Sequence, residues 1–334
     1  MTYKEKQYKR QVDVLGEHSE WFGGDTGNGI FKGKERKFAL QDGVNNLFER
    51  IRPETEDNVV SYFKKNGISW WNGDGPTNHL CSSQIACLNH LFLLRHDKEA
   101  ILAIAQAVDP EFDDVIEVSG DVYDPAYISF EVVSSRDYLN ESKTGKLTRG
   151  SQCTSIDAVI IAVKDGKRIL LPIEWKFVEE YAREDKSLGS HGEERRRRYF
   201  DSGLVVKSEQ LKSVERPHGS IYFQEPYYQL MRQTLWAEQC IKNHDKVVNG
   251  AEDFIHVHVI PKENDSLRDI HFDEKWDNGQ GMVSNWKAML KHPEKYVCID
   301  PKDLFKNIFE NENLREKCKD LLEYLVARYW TLDK

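Results

Sequence analysis

The chain has 334 residues, of which 39% are hydrophobic and 31% charged, a balance typical of soluble globular proteins and not of disordered or fibrous chains. Its strongest apolar run, residues 158–163, is much shorter than the roughly 18 residues that a membrane-spanning helix needs. The net charge of −9 excludes a uniformly basic surface for nucleic acid, although positive charge is concentrated between residues 143 and 216.

The N-terminus and the cysteines indicate a reducing compartment. Neither a signal peptide nor an acylation motif is present, so we expect a cytoplasmic protein. The six cysteines show no Cys-x-x-Cys pair and no zinc-ribbon spacing, which predicts reduced and mostly buried thiols.

Residues 1–75 are rich in glycine and aromatic residues. The glycine run at 23–29 matches neither the phosphate-binding loop nor the dinucleotide-binding fingerprint, in which Lys32 would replace the third glycine, and it indicates turns. We predict that 1–75 is a loop-rich aromatic extension packed on the core, that 76–265 is the core, and that 266–334 is a C-terminal helical region.

The core pattern predicts an α/β fold. A helix capped by Ser82 or Ser83 runs over 84–93 and can continue over 98–106. Three strands (128–133, 155–163 and 168–178), a polar excursion (181–220), a helix (225–241) and a strand (254–260) follow, before a C-terminal helix over 314–329. The order is therefore helix, three strands, helix, strand.

Asp165-Gly166 between two apolar runs is a strong signal for a two-residue type I′ hairpin. If Lys164 pairs with Lys167, Asp157 lies opposite Glu174 on one face, and Lys176 shares that face. In this register apolar residues lie on both faces of the hairpin near the turn, so we expect the sheet to be covered on both sides.

Opposed carboxylates have Cβ atoms roughly 5 Å apart, and at an effective dielectric near 20 they repel by about 3 kcal/mol. A bound cation relieves this repulsion, and hard oxygen ligands favour Mg²⁺ or Mn²⁺ over zinc. Lys176 partly neutralises the pair and can meet an anionic group of a substrate. The alternative is an ion network of Asp157, Glu174 and Lys176 without a catalytic task.

The pattern Asp157, then Glu174-Trp175-Lys176, resembles the PD-(D/E)XK nuclease superfamily. The segments HLCSSQIACLNHLF, SIDAVIIAVKDGKRILLPIEWKF and EPYYQLMRQTLWAEQ are similar to a bacterial, restriction-endonuclease-like branch of it, over residues 21–330. The resemblance implies a restriction-endonuclease-like core in which Asp157 and Glu174 bind the metal and Lys176 activates water. The proline of the superfamily name is absent, since Ile156 precedes Asp157.

Many members of the superfamily add an acidic residue from the first helix. Here Gln84 stands at that helix, with Asn89 five residues further on, so an amide replaces the carboxylate or a water intervenes. Glu131 is a candidate third carboxylate, but an outward, solvated glutamate is the favoured interpretation. Gln229, Arg232 and Gln233 share one face of the second helix, where the family places polar groups, or they form an ordinary solvated face.

Basic side chains before and after the hairpin are candidates for contacts with nucleic acid. Lys143, Lys146 and Arg149 precede the Asp157 strand, and Arg195, Arg196, Arg197 and Arg198 form a basic run suited to phosphate groups. For the arginine run, pairing with Glu193 and Glu194 is an almost equal alternative. His256 and His258 alternate on the last strand, and we interpret them as solvent-facing residues of an edge strand instead of metal ligands.

Together these features predict a Mg²⁺- or Mn²⁺-dependent nuclease that cuts DNA, with double-stranded DNA as the expected partner. A homodimer is expected if both strands of a symmetric site are cut. The alternatives are a catalytically silent module that binds nucleic acid or a protein partner, and a metal-dependent hydrolase of another phosphoester.

Overall fold

The protein, in this computed structural model, is described for residues 1–71, 73–119, 125–150, 153–182, 184–272 and 274–330. Across those ranges a mixed sheet of seven strands lies between layers of helices, and a separate two-stranded ribbon lies near the N-terminus. The strands are β1 Gly29–Phe31, β2 Lys34–Arg36, β3 Asp114–Ile116, β4 Ile128–Val132, β5 Ile156–Lys164, β6 Lys167–Trp175, β7 Asp253–Phe254, β8 His256–Val259 and β9 Tyr296–Ile299. The helices are α1 Tyr3–Glu17, α2 Val59–Lys65, α3 Ser83–Leu91, α4 Lys98–Val108, α5 Gly189–Arg196, α6 Tyr227–Lys242, α7 Asp265–Arg268, α8 Met282–Ala288, α9 Pro301–Leu304, α10 Lys306–Glu310, α11 Glu312–Lys317 and α12 Lys319–Arg328.

The hairpin of β5 and β6 forms the centre of the large sheet. β3 and β4 both pair antiparallel with β5, while β7 and β8 pair parallel with β6. β9 pairs parallel with β8 on its outer side. The fold is therefore α/β, as the order of elements in the sequence predicts. Its large sheet is mixed, with both parallel and antiparallel pairs.

The hairpin register is the one that the Asp-Gly turn predicts. Lys164 pairs with Lys167 and Val159 with Pro172. Asp165 and Gly166 have φ of 52° and 74°, the left-handed conformation that a type I′ turn requires of both central residues. The ladder ends one pair before Asp157 and Glu174, where the Trp175 amide donates to Asp157 Oδ2 at 2.8 Å.

Both faces of the hairpin are buried, as the sequence predicts. Ala158, Ile160 and Leu171 belong to a core with α3, α4 and α12. Val159 and Leu170 belong to a second core with α6 and α8. The alternation of the strands therefore puts Asp157 and Glu174 on the α6 face, at the end of the apolar rows.

Several predicted elements are wrong in extent. The helix expected over 84–106 is two helices, because a 3₁₀ turn at Phe92–Leu94 intervenes and Asp97 caps α4 anew. The C-terminal helix is likewise divided into α11 and α12, and the strand expected over 254–260 into β7 and β8. The helices α1 and α2 lie in the segment that the glycine pattern presents as loops, and β9 is an additional strand.

The two ends of the described chain are joined. Arg10 of α1 donates to the carbonyls of Val326 and Ala327, and Gln11 donates to that of Arg328 at 2.7 Å. Arg328 is fully buried and donates back to Gln11 at 2.8 Å. None of the helices in the described ranges combines the length and the apolar character needed to cross a bilayer.

Candidate active site

A cavity of about 530 Å³ lies at the end of β5 and β6. The four predicted catalytic residues, Asp157, Glu174, Lys176 and Gln84, all border it. Gln229, Arg232 and Gln233 of α6 border it as well. The fold therefore brings together residues that are up to 149 positions apart in the sequence, from Gln84 to Gln233.

Glu174 and Lys176 form a buried ion pair. Lys176 Nζ lies 2.5 Å from Glu174 Oε1. Lys176 is 6% exposed and Glu174 is 1% exposed. Lys176 Nζ also donates to Gln229 Oε1 at 2.7 Å. Burial opposes the charged form of Lys176, but the negative charge of Glu174 and its neighbours outweighs burial and raises the pKa of the ammonium group. Lys176 is therefore a cation at neutral pH.

Three carboxylates lie side by side on three adjacent strands. Pairing of Phe130 with Ala158 and of Val132 with Ile156 places Glu131 opposite Asp157, and the hairpin register places Asp157 opposite Glu174. Asp157 is half-buried, and its pKa is raised by burial first and then by the charges of Glu174 and Glu131. The row thus holds three acidic groups beside one ammonium group, and their mutual repulsion disfavours the ionised form of Asp157.

Glu131 contradicts the interpretation of an outward, solvated side chain. It is 8% exposed, and its carboxylate accepts from Gln84 Nε2 at 2.6 Å and from Ser155 Oγ at 2.9 Å. Burial is the main cause that raises the pKa of Glu131. Its backbone has a φ of 49°, a left-handed conformation that is uncommon for a residue other than glycine. Gln84 thus acts on the site through Glu131.

Arg149 stabilises the unusual backbone conformation of Glu131, and its guanidinium group makes contacts within the protein. Its Nε donates to the Glu131 carbonyl at 3.0 Å, and its Nη2 donates to the Phe130 carbonyl. Its guanidinium group also lies over the Tyr62 ring. Arg149 is therefore bound within the protein, whereas Lys143 and Lys146 are exposed.

Gln233 links Glu174 to a buried histidine. Its side-chain NH₂ donates to Glu174 Oε2, and its carbonyl oxygen lies 2.9 Å from His256 Nε2. Burial lowers the pKa of His256 to about 3, so the ring is neutral. Its Nε2–H group donates the hydrogen bond that the Gln233 carbonyl oxygen accepts. Gln233 is 1% exposed, so the alternative interpretation, that it belongs to an ordinary solvated helix face, is wrong for this residue. Arg232 pairs with Glu141 at 2.9 Å.

The two histidines of β8 are not on an edge. β8 lies between β6 and β9, and His256 and His258 are 2% and 0% exposed. His258 Nδ1 lies 2.9 Å from the Tyr296 hydroxyl on β9. The interpretation as solvent-facing edge residues is therefore wrong, because a strand about 40 residues further along the chain covers them.

The arginine run makes contacts within the chain. Arg197 and Arg198 pair with Glu194 at 2.8 and 3.0 Å, as one of the two interpretations expects. Arg195 and Arg196 donate to the carbonyls of Lys186 and Ser187. A role of this run in phosphate binding stays a prediction.

Asn89 of α3 has a structural role and lies outside the cavity. It is buried and donates hydrogen bonds to the hydroxyl groups of Tyr324 and Tyr329.

The carboxylate row suits a hydrated hard cation better than a closed metal cage. In the part of the chain that the structure describes, no three His, Cys, Asp or Glu residues are arranged to hold a metal ion. Mg²⁺, however, keeps several waters and is commonly bound by one or two carboxylates. Asp157 and Glu174 are the two carboxylates that would hold such a cation, which would relieve the repulsion within the row. All six cysteines are free and four are buried, as predicted.

The mixed α/β fold and this charged cleft are accompanied by one family match. The chain belongs to the family described as restriction endonuclease associating with ARP, whose model matches residues 8–330. This confirms the restriction-endonuclease-like family, while the assignment to the PD-(D/E)XK superfamily stays a prediction. No curated protein and no solved structure shows significant similarity to the chain.

Proposed function

We propose that this protein is a divalent-metal-dependent nuclease of the PD-(D/E)XK type, which hydrolyses DNA phosphodiester bonds. The observation that carries the proposal is the buried Lys176–Glu174 ion pair beside Asp157, at the open end of a tightly registered hairpin. A buried ion pair is weak as a source of stability, since its desolvation cancels much of the attraction. Charged groups held at such a cost in a cleft are typical of active sites.

Each residue has a role in the proposed reaction. Asp157 and Glu174 would hold Mg²⁺ or Mn²⁺, which supplies a nucleophilic water at neutral pH and offsets charge on the phosphate. Lys176 is fixed by Glu174 and Gln229, so its ammonium group is in place to orient the attacking water or to stabilise charge on the phosphate. Gln84 holds Glu131, the third carboxylate of the row, by donating a hydrogen bond to it.

Further parts of the proposal rest on the sequence alone. They are a core of the restriction-endonuclease type, double-stranded DNA as the target, a homodimer, and a cytoplasmic location. Of the three basic residues predicted for DNA contacts before β5, Lys143 and Lys146 are exposed and would contact the DNA backbone.

The test is cleavage of plasmid and linear DNA, both methylated and unmodified, with Mg²⁺ or Mn²⁺. Lys176→Ala should abolish metal-dependent cleavage, and Lys167→Ala is the matched control, since Lys167 is an exposed lysine at the other end of β6. The far-UV circular dichroism of both variants verifies the fold. Cleavage by Lys176→Ala at the wild-type rate would overturn the assignment.

One observation favours a second candidate, a catalytically silent member of the family. Both carboxylate oxygens of Glu174 are already engaged, by Lys176 and by Gln233. A metal-free ion network would have this arrangement. Titration with Mn²⁺ separates the candidates, because a silent module has no need to bind the metal at Asp157 and Glu174.

A further inference from the structure

Part of the cavity lining is aromatic. It is formed by Tyr8, Phe31, Trp71 and His79, which come from α1, β1 and the connections around α2 and α3. None of these residues belongs to the proposed catalytic set. The cavity lining therefore combines charged side chains with this group of rings, which we call the ring wall.

The rings form a connected cluster. The centroids of Phe31 and His79 are 4.7 Å apart, and those of Tyr8 and His79 are 5.5 Å apart. Phe38 lies behind them, at 4.4 Å from Tyr8 and 4.8 Å from His79. This packing holds the half-buried Phe31, which borders the cavity.

Trp71 is the exposed ring of this wall. Among the described residues it is the aromatic side chain that stands out as exposed, at 55%. Its backbone amide donates to Gln84 Oε1 at 3.2 Å, and Gln84 in turn binds Glu131. A chain of two hydrogen bonds therefore connects the backbone at Trp71 to the carboxylate row.

The ring wall is uncharged at neutral pH. Burial lowers the pKa of His79 to about 4, and the Cys81 amide donates to His79 Nδ1 at 3.0 Å, so the ring proton is on Nε2. Burial raises the pKa of Tyr8 to about 12. Charge is present at the rim instead, where Lys32 lies 5.5 Å from the Phe31 ring centroid and Lys4 pairs with Glu180.

We infer that the cavity binds one unpaired nucleotide of a DNA strand, with its base on the ring wall at Phe31 and Trp71 and its phosphate on the side of the cavity where Lys176 lies. This inference rests on the proposed function and names the form of the substrate. A volume of about 530 Å³ lies within the range of pockets that enclose small ligands, whereas a base pair inside a duplex offers no free ring face. The substrate is then single-stranded DNA, or duplex DNA with one nucleotide turned out of the stack.

The inference is tested by binding without metal, in EDTA. Fluorescence anisotropy compares a labelled single-stranded oligonucleotide with the fully paired duplex of the same sequence. We expect the wild type to bind the single strand about 10-fold more tightly, and Trp71→Ala and Phe31→Ala to weaken that binding about 10-fold while duplex binding stays unchanged. Ile30→Ala is the matched control, because Ile30 is 63% exposed, adjoins Phe31 and does not border the cavity.

Single-strand binding by Trp71→Ala within about two-fold of wild type would overturn the inference, and so would equal binding of the two DNA forms that Trp71→Ala leaves unchanged. Since Trp71 is exposed, Trp71→Ala leaves the core intact. This variant therefore tests the inference even if Phe31→Ala does not fold. The two proposals fail separately. Ring-dependent binding of single strands without cleavage under any metal contradicts the nuclease only, whereas metal-dependent cleavage that is indifferent to Trp71 contradicts the ring site only.

Discussion

At Lys176, burial and the charge of neighbouring groups act on the ammonium group in opposite directions. The ammonium group stays charged because Glu174 lies against it, and Gln229 accepts a second hydrogen bond from it. Each partner therefore depends on the other, since removal of either one leaves an uncompensated buried charge.

Glu174→Ala should therefore lower the free energy of unfolding by about 3–5 kcal/mol, the usual cost of breaking a buried ion pair. Glu174→Ala combined with Lys176→Met should cost much less, because no unpaired charge remains. Urea denaturation of the single and double variants measures both values. If the double variant is as unstable as the sum of its single changes, the two residues do not act as a pair.

Glu131 shows the limit of sequence analysis at this scale. Its strand was predicted, but its side chain was assigned to solvent. Burial of Glu131 depends on the pairing of β4 with β5, on Gln84 from α3 and on a left-handed backbone held by Arg149. None of these contacts is local in sequence, so the residue pattern alone carries no signal for them.

At the scale of elements, α6 supplies the support for the carboxylate row. Gln229 and Gln233 are one helical turn apart, and each binds one member of the Lys176–Glu174 pair. Gln233 is anchored in turn by neutral His256 of β8. Gln233 is thus a positioning residue, because it acts through Glu174.

Gln233→Leu should lower the metal-dependent cleavage rate about 10- to 100-fold, the range typical of residues that support metal ligands. It should also raise the Mn²⁺ concentration needed for half-maximal activity, which a merely structural role would leave unchanged. Gln239→Leu, on the same helix and outside the cavity, is the control. An unchanged metal requirement in Gln233→Leu would contradict this role.

The hairpin was predictable to the residue because its signal is local. Asp165-Gly166 determines the turn, and the turn determines every pairing up to Ala158 and Ile173. The position of β8 was not predictable, because its burial depends on β9, whose Tyr296 is 38 residues beyond His258. Likewise α1 is polar along most of its length and owes its place to contacts with the carbonyls at the end of α12.

At the scale of the whole molecule, buried neutral histidines couple stability to pH. Burial lowers the pKa of His90 to about 3; the ring is 1% exposed, and its Nε2 accepts from the Trp330 indole at 3.1 Å. Because this value lies below the unfolded value of about 6.5, neutral His90 contributes stability that is fully present above pH 6.5. That contribution is lost as the pH falls towards 3.

The free energy of unfolding should therefore fall by about 2 kcal/mol for His90 alone between pH 7 and pH 5. In His90→Phe the fall over this interval should be smaller by that amount, whatever the stability at pH 7. Urea denaturation at both pH values provides the comparison, with His191→Gln, an exposed histidine of α5, as the control. An identical pH dependence in His90→Phe and wild type would contradict a neutral, buried His90.

The central claim is that the carboxylate row is a metal-dependent nuclease centre, and Asp157→Asn tests it most directly. This change keeps the shape of a half-buried side chain and removes a charge that Glu174 and Glu131 oppose, so the protein stays folded. The measurement is the rate of DNA cleavage with Mn²⁺ by wild type and Asp157→Asn at matched concentration and salt. We predict metal-dependent cleavage by the wild type and none by the variant, whereas equal cleavage by both would contradict the account.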